Sequence, residues 1–323
     1  MMRRVTVSAA LFGSVYVVSA SVPGAPLQAP STVTITHDAA KAEYAVTVGG
    51  RRFTRYRYGA EFAEKPVFHP VNAPNGARVN REYPMVPGLP GETADHPHHQ
   101  SMFFTYDEVN GTNFWNPDKT NIGRRVEHLG AEVQGNTLVA RLAWKDKDGR
   151  VVLDELKRVT FGGDSDVFWM DHDLTLTASN GPVTMGDTKE GMFAIRLNDT
   201  LKEAGGSGRY INAEGLETAA SVWGKRSAWV AIRGTVADAV QTRPVTVAIF
   251  AHADGARFPP FWHARDYGLF SANPLGQHAF DPALPENITR LAQGDQLRLR
   301  FRLAVYDGEV SKARLDRDYA GLD

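Results

Sequence analysis

Three histidines are crowded into four positions of the chain, in the segment His96-Pro97-His98-His99. Imidazole titrates near neutral pH and also binds metal ions, so this density points to acid–base chemistry or metal ligation. An extended segment would place His96 and His98 on one face and His99 on the other. We therefore take His98 and His99 as candidate catalytic residues, and His96 and His98 as candidate metal ligands.

A second concentration of charge is the segment Gly186-Asp187-Thr188-Lys189-Glu190-Gly191, which runs directly into an apolar stretch. A nearby cation favours the ionised form of a carboxyl group. Glu190, beside Lys189 and within reach of Arg196, is therefore a candidate catalytic base or ligand. Lys189 and Arg196 are candidate substrate-binding residues, and a salt bridge at a strand end is the alternative interpretation.

A third segment, residues 259–276, combines aromatic and polar side chains between two proline breaks, which is typical of a binding loop. His263 and Asp266 are candidate catalytic residues here, with Asp266 placed to orient the imidazole. The side chains predicted to contact substrate are Trp262, Arg265, Tyr267 and Asn273.

Trp115 adds a further candidate for substrate binding, because it lies between Asn113 and Asn116. An indole can stack on the apolar face of a sugar ring while the amides bind hydroxyl groups. Packing of Trp115 in the core is the alternative.

Short alternating runs of Val, Thr, Phe, Tyr and Trp between Gly, Asn and Asp turns surround these segments, a pattern typical of antiparallel strands. Helical periodicity is confined to residues 310–319. The sequence predicts an all-β fold, a large antiparallel two-sheet β-sandwich of the supersandwich type with a short C-terminal helix. We expect one sandwich domain over residues 31–310 and a helix or tail over 311–323, with two tandem sandwiches as the alternative.

The amino terminus has the pattern of a secretory signal peptide over residues 1–25, since Arg3 and Arg4 precede an apolar stretch. A membrane-anchoring helix is the alternative. We expect a secreted or periplasmic protein that is not attached to a membrane once the signal is cleaved.

Composition excludes several classes of function. Lys plus Arg number 36 against 37 Asp plus Glu, a net charge of −1 that argues against nucleic acid as a partner. The absence of cysteine excludes disulfides, iron–sulfur clusters and thiol nucleophiles. A metal would have to bind His, Asp or Glu; no cofactor is assigned, and a divalent metal is left open.

Three segments of this chain, in this order, resemble a family of secreted bacterial proteins often labelled "methane oxygenase PmoA". They are residues 96–104, 186–191 and 261–274. The resemblance spans about residues 45–308. It implies a galactose mutarotase-like β-sandwich and a role in carbohydrate catabolism; the label itself does not describe an activity. The chain departs from the family pattern at Gln100, where arginine is common, and at Met192, where histidine is frequent.

Three functions are consistent with these residues. The first is a carbohydrate-active enzyme in which a histidine of the cluster is the acid and Glu190 the base, for hydrolysis, elimination or epimerisation of a sugar or oligosaccharide. The second is a noncatalytic glycan-binding protein that uses Trp115, Trp262 and Tyr267. The third is a metal site built from His96, His98 or His99 together with His263 or Glu190. Under the enzyme hypothesis, one pocket is lined by His98 or His99, Glu190, His263 and Asp266. Its wall is expected to include Trp262, Tyr267 and Asn273. The oligomeric state is left open.

Overall fold

A computed structural model describes residues 2, 31–59, 62, 64–116, 122–238 and 240–322 of the chain. The predicted signal peptide lies, apart from residue 2, outside the described residues. Among the helices described, none has the length and apolar character needed to cross a membrane.

Strands dominate the described chain, and the predicted all-β sandwich is confirmed. In chain order the strands are β1 (Val33–Asp38), β2 (Glu43–Val48), β3 (Arg51–Arg57), β4 (Val67–Val71), β5 (Met102–Tyr106), β6 (Glu108–Val109), β7 (Thr112–Asn113), β8 (Arg125–Gln134), β9 (Thr137–Lys145), β10 (Val151–Gly163), β11 (Val167–Thr177), β12 (Val183–Met185), β13 (Gly191–Arg196), β14 (Arg209–Asn212), β15 (Trp229–Ala237), β16 (Thr242–Ala251), β17 (Phe261–Ala264), β18 (Leu269–Asn273), β19 (Thr289–Leu291) and β20 (Gln296–Asp307).

Three short helices accompany the strands of the described chain. They are α1 (Ala219–Val222), α2 (Gln277–Phe280) and α3 (Lys312–Ala320). The C-terminal helix is thus confirmed within two residues of its predicted bounds. The four-residue helices α1 and α2 were not predicted, because one helical turn is too short to show periodicity.

The strands form two large antiparallel sheets and one small one. Sheet 1 has the order β1-β2-β3-β4-β5-β13-β18-β17, and sheet 2 has the order β14-β15-β16-β20-β11-β10-β9-β8. A four-stranded sheet of order β19-β12-β6-β7 stands beside them. Sheet 1 therefore brings strands from both halves of the chain next to each other.

Strand alternation divides each large sheet into a core face and an outer face. In β13, Phe193 and Ile195 belong to the main hydrophobic core, whereas Ala194 and Arg196 lie on the other face. Residues of sheet 2 such as Leu174 belong to the same core. We call the side of sheet 1 turned away from this core its outer face.

The core between the sheets also contains a buried ion pair on β10. The Nζ atom of Lys157 lies 3.3 Å from Oε1 of Glu155, and both side chains are at most 4% exposed. The indole of Trp144 donates a hydrogen bond to the other carboxylate oxygen of Glu155 at 2.8 Å. Each charge is thus tolerated in the core only because the other is present.

We predict that Lys157→Met destabilises the protein by about 3 kcal/mol, because it leaves the Glu155 carboxylate buried without a counter-charge. The double variant Glu155→Gln/Lys157→Met removes both charges and keeps an acceptor for Trp144, so it should recover most of that loss. Urea unfolding followed by tryptophan fluorescence measures both. A single variant as stable as the wild type would contradict this interpretation.

Candidate functional site

The three segments singled out in the sequence meet on the outer face of sheet 1. Strand pairing sets Ala194 opposite Phe103 on one side and opposite Ser271 on the other. Ser271 in turn pairs with His263 on the edge strand β17. The outer face therefore carries residues from the 96–104, 191–196 and 261–273 segments in one row.

The histidine cluster adopts a turn and not an extended segment. His96 has a positive φ of 44°, and the backbone N–H of His99 donates to the carbonyl of His96 at 3.0 Å. The prediction that His96 and His98 share one face is therefore wrong. The turn stacks the rings of His96 and His99 in parallel at 4.9 Å and brings the His98 ring edge-on to His99 at 4.3 Å.

A shared carboxylate holds this turn against the sheet. Oδ1 of Asp95 accepts hydrogen bonds from the guanidinium groups of Arg81 and Arg196, the latter at 2.7 Å. Both arginine side chains are fully buried, and Oδ2 of Asp95 lies 3.1 Å from Nδ1 of His96. Burial opposes ionisation of Asp95, but the charge of Arg196 and the hydrogen bonds from Arg81, Arg196 and His96 hold its pKa well below the usual range.

Tyr267, in the turn between β17 and β18, connects the histidine cluster with the rest of the site. Its ring is parallel to that of His96 at 5.0 Å. The guanidinium of Arg196 lies 4.8 Å from the ring centre, and that of Arg265 lies 5.6 Å away. Tyr267 thus stands between two cations and the histidine cluster.

Glu190 and His263 form the other side of the site. Oε2 of Glu190 lies 3.8 Å from Nδ1 of His263, and Oε1 accepts a hydrogen bond from Lys189 at 2.7 Å. Among the described residues, Nδ1 of His263 has no hydrogen-bond partner, although the ring is 2% exposed. A carboxylate at this distance is placed to stabilise a proton on the imidazole.

Burial keeps three histidines of the site, His98, His99 and His263, neutral. It lowers the pKa of His98 to about 3, with a contribution from the charge of Lys65. Burial and the charges of His98 and Arg196 take the pKa of His99 well below its ordinary value. Burial lowers the pKa of His263 to about 4, although the charge of Glu190 opposes this shift. At neutral pH these imidazoles are therefore uncharged and carry no imidazolium proton to donate.

Sequence reasoning missed three residues of this site. Asp95 and Arg81 build the ion-pair anchor, and Lys65 is fully buried below the histidines, where it donates to the carbonyl of His98 at 3.0 Å. Burial lowers the pKa of Lys65 to about 8. Of the three, only Asp95 could have been found from the sequence, because it directly precedes the histidine segment. Nothing in the local sequence marks Lys65 or Arg81, because their role depends on contacts with distant residues.

Two predicted residues do not join the site in the way expected. Trp262 points into the core between the sheets, where its indole donates to the carbonyl of Ser227 at 3.0 Å, so its predicted place on the pocket wall is wrong. The alternation of β17 puts it on the face opposite His263. Asp266 is exposed in the β17–β18 turn. The carboxylate beside His263 is that of Glu190.

The remaining predicted residues lie on the outer face or support it. Trp115 packs beside His99 with ring centres 5.7 Å apart, and its buried indole nitrogen has no partner among the described residues. Asn273 donates to the carbonyl of Thr188 at 2.9 Å, which holds the loop carrying Glu190. Asn273 is therefore a positioning residue.

Metal ligation was one of the functions that the histidine cluster predicted. Within the described part of the chain, no group of three His, Asp or Glu side chains is arranged to hold a metal ion. The rings of His96 and His98 are edge to face with centres 5.7 Å apart.

We predict that Asp95→Asn destabilises the protein by roughly 2 kcal/mol, because two buried guanidinium groups lose their carboxylate; the value is reduced from that of a fully buried pair because Asp95 is 41% exposed. The pKa of Asp95 is lower in the folded state, so its stabilisation is complete above the pKa of the unfolded chain, near 4, and is lost as the pH falls further. Urea unfolding at several pH values measures this. Equal loss of stability below pH 4 in wild type and variant would contradict the assignment.

Comparison with solved structures finds distant likenesses. A GH36 α-galactosidase, AgaA from Geobacillus stearothermophilus, is 9% identical over 86% of this chain and 41% of its own, with a TM-score of 0.42. A mutant of the heparan sulfate lyase HepC from Pedobacter heparinus is 10% identical over 84% of this chain and 36% of its own, with a TM-score of 0.30. This chain therefore spans less than half the length of either enzyme.

A galactose mutarotase-like protein from Clostridium acetobutylicum is 7% identical over 86% of this chain and 99% of its own, with a TM-score of 0.33. No curated protein matches the sequence. The model of one protein family, described as a family of unknown function, matches residues 43–320, which include all three site segments. The chain belongs to this family, DUF6807.

Proposed function

We propose that this protein is an exported carbohydrate-active enzyme that removes a proton from a sugar derivative, in an elimination or an epimerisation. The observation that carries the proposal is the pairing of Glu190 with the neutral, buried His263, 3.8 Å apart on the outer face of sheet 1. The export rests on the signal-peptide pattern of the amino terminus.

The protonation states favour proton abstraction over glycoside hydrolysis. Hydrolysis needs an acid for the leaving oxygen together with a base for water, whereas proton abstraction begins with a base alone and needs an acid only when the leaving group departs or a proton is returned. His98 and His263 have pKa values of about 3 and about 4, so at neutral pH their imidazoles are unprotonated and have a free lone pair for a proton. This reverses the role first expected for the histidines, in which one of them was the acid. Glu190 would stabilise the imidazolium that forms on His263 when it takes a proton.

Proton abstraction also requires positive charge that stabilises the anion formed, and cations lie near the Glu190–His263 pair. Removal of a proton next to a carbonyl or carboxyl group leaves negative charge on the oxygen, which fixed positive groups stabilise. Arg196 is already paired with Asp95, whereas Arg265 forms no ion pair with a described carboxylate. The guanidinium of Arg265 lies 5.6 Å from the centre of the Tyr267 ring, and its positive charge lowers the pKa of His263, so a cation stands near the pair.

A specific observation favours the glycan-binding alternative. The rings of His96, His99 and Tyr267 are nearly parallel, with interplanar angles of at most 5°, and the buried indole N–H of Trp115 next to His99 lacks an acceptor among the described residues. Flat rings are what the apolar face of a sugar ring contacts. These features serve a binding protein without any proton transfer.

We predict that the wild-type protein exchanges a sugar C–H proton for deuterium in D2O and that Glu190→Gln slows this exchange at least about 100-fold, the usual contribution of an acid–base group. Proton NMR of a panel of uronic acids, their glycosides and neutral glycosides measures exchange, elimination and hydrolysis together. Glu286→Gln, at an exposed position, is the matched control. Saturable binding of a sugar without exchange or turnover would favour the binding protein instead.

We predict that His263 titrates with a midpoint near pH 4 and that Glu190→Gln moves this midpoint lower, since burial lowers the pKa and the Glu190 charge raises it. The Cε1–Hε1 signal of His263 in NMR, followed from pH 3 to pH 8, measures both values. Glu286→Gln should leave the midpoint unchanged. A midpoint that does not respond to Glu190→Gln would show that the two side chains do not interact.

A further inference from the structure

A second concave region lies on the outer face of sheet 1, at the β2–β3 end and away from the histidines. It is a cavity of about 740 Å³ between the β2–β3 hairpin, residues 70–78 and the end of the β15–β16 hairpin. We call it the arginine groove, because its walls include Arg51, Arg52, Arg55, Arg78 and Arg243.

Positive charge in the groove exceeds negative charge, although the whole chain has a net charge of only −1. The acidic residues of its wall are Glu82, 2.6 Å from Arg78, and Asp238, 3.0 Å from Arg243. Arg55 lies 3.5 Å from Glu43, outside the groove wall. The positive charges of Arg55, Arg78 and Arg243 are therefore at least partly balanced by these carboxylates.

The charges of Arg51 and Arg52 are not compensated by any described carboxylate. Arg51 donates to the backbone carbonyls of Pro74, Asp164 and Ser165, which orient the guanidinium but do not neutralise it. Arg52 is exposed and has no hydrogen-bond or ion-pair partner among the described residues. Arg51 shares the core-side face of β3 with Phe53, and its guanidinium lies over the Phe168 ring at 4.9 Å. Arg52 is therefore the exposed cation of the groove without a described partner.

The groove lies next to the candidate site on the same face of the sheet. Asn198 lines the groove, two residues beyond Arg196 along the chain. The segment 78–82 separates the two regions: Arg78 and Glu82 line the groove, and the backbone N–H of Arg81 donates to the carbonyl of Arg196 at 3.0 Å. An extended ligand that reached from the site into the groove would cross this segment.

We propose that the arginine groove binds oxyanion groups, carboxylate or sulfate, on an oligosaccharide whose reacting unit occupies the candidate site. Guanidinium groups match the geometry of such oxyanions and bind them with charge-assisted hydrogen bonds. The described wall contains no aromatic side chain for stacking, so charge and amide hydrogen bonds would carry recognition. The oligosaccharide part of this inference rests on the proposed function, and the anion part rests on the groove alone.

The test measures binding of tetragalacturonate, of a sulfated galactan tetrasaccharide and of fully methyl-esterified tetragalacturonate by calorimetry at low salt. The esterified form keeps the sugar chain and removes its charge. We expect at least one charged ligand to bind more than about tenfold more tightly than the ester, and Arg52→Gln to weaken it about tenfold, as a lost charge-assisted hydrogen bond would. Arg290→Gln, at another exposed arginine, is the matched control.

Arg243→Gln, on the opposite wall, should cause a further loss when combined with Arg52→Gln, and thermal melting checks that each variant is folded. Equal affinity for charged and esterified ligands, or equal effects of Arg52→Gln and Arg290→Gln, would overturn the proposal. Inorganic sulfate that binds as tightly as the tetrasaccharides would overturn the oligosaccharide assignment. Turnover of a sugar without binding in the groove would overturn this inference alone. Binding in the groove without turnover would overturn the proposed function alone.

Discussion

The carboxylate of Asp95, shared by two buried guanidinium groups, is the interaction on which the arrangement of the site depends. Arg196 comes from the outer face of β13, and Arg81 from the segment that separates the site from the arginine groove. Neither cation would be stable in this buried position without its anion. Because Asp95 precedes the histidine turn directly, compensating the two charges also fixes where His96 and His99 lie relative to Tyr267.

Burial of polar groups on the outer face has a chemical consequence. The same desolvation that makes Asp95 necessary lowers the pKa values of His98 and His263 and leaves their imidazoles neutral. A carboxylate placed beside one of them, Glu190, then makes that histidine the easier of the two to protonate. The chemistry open to the site is thus determined by how deeply each imidazole is buried and by which charges surround it, more than by the number of histidines.

The outer face of sheet 1 also joins two regions that the chain keeps apart. The arginines of β3 and the Glu190–His263 pair are separated by well over a hundred residues, yet strand pairing puts both on one surface. Sheet order, with β13 inserted between β5 and β18, is what makes this possible. A single extended ligand could therefore contact residues from the beginning, the middle and the end of the fold.

The sequence by itself determined the fold class, the C-terminal helix and the segments that carry the site, because alternation and clustering of residue types are local properties. It placed Glu190, His263 and Tyr267 among the candidates on those grounds. Local sequence could not show that Trp262 faces the core, since the face of a strand depends on its register, nor that the histidine segment turns at His96. Lys65, Arg81 and the pairing of Arg196 with Asp95 were decided only by the tertiary structure, because the free energy of a buried charge depends on partners that lie far away in the chain.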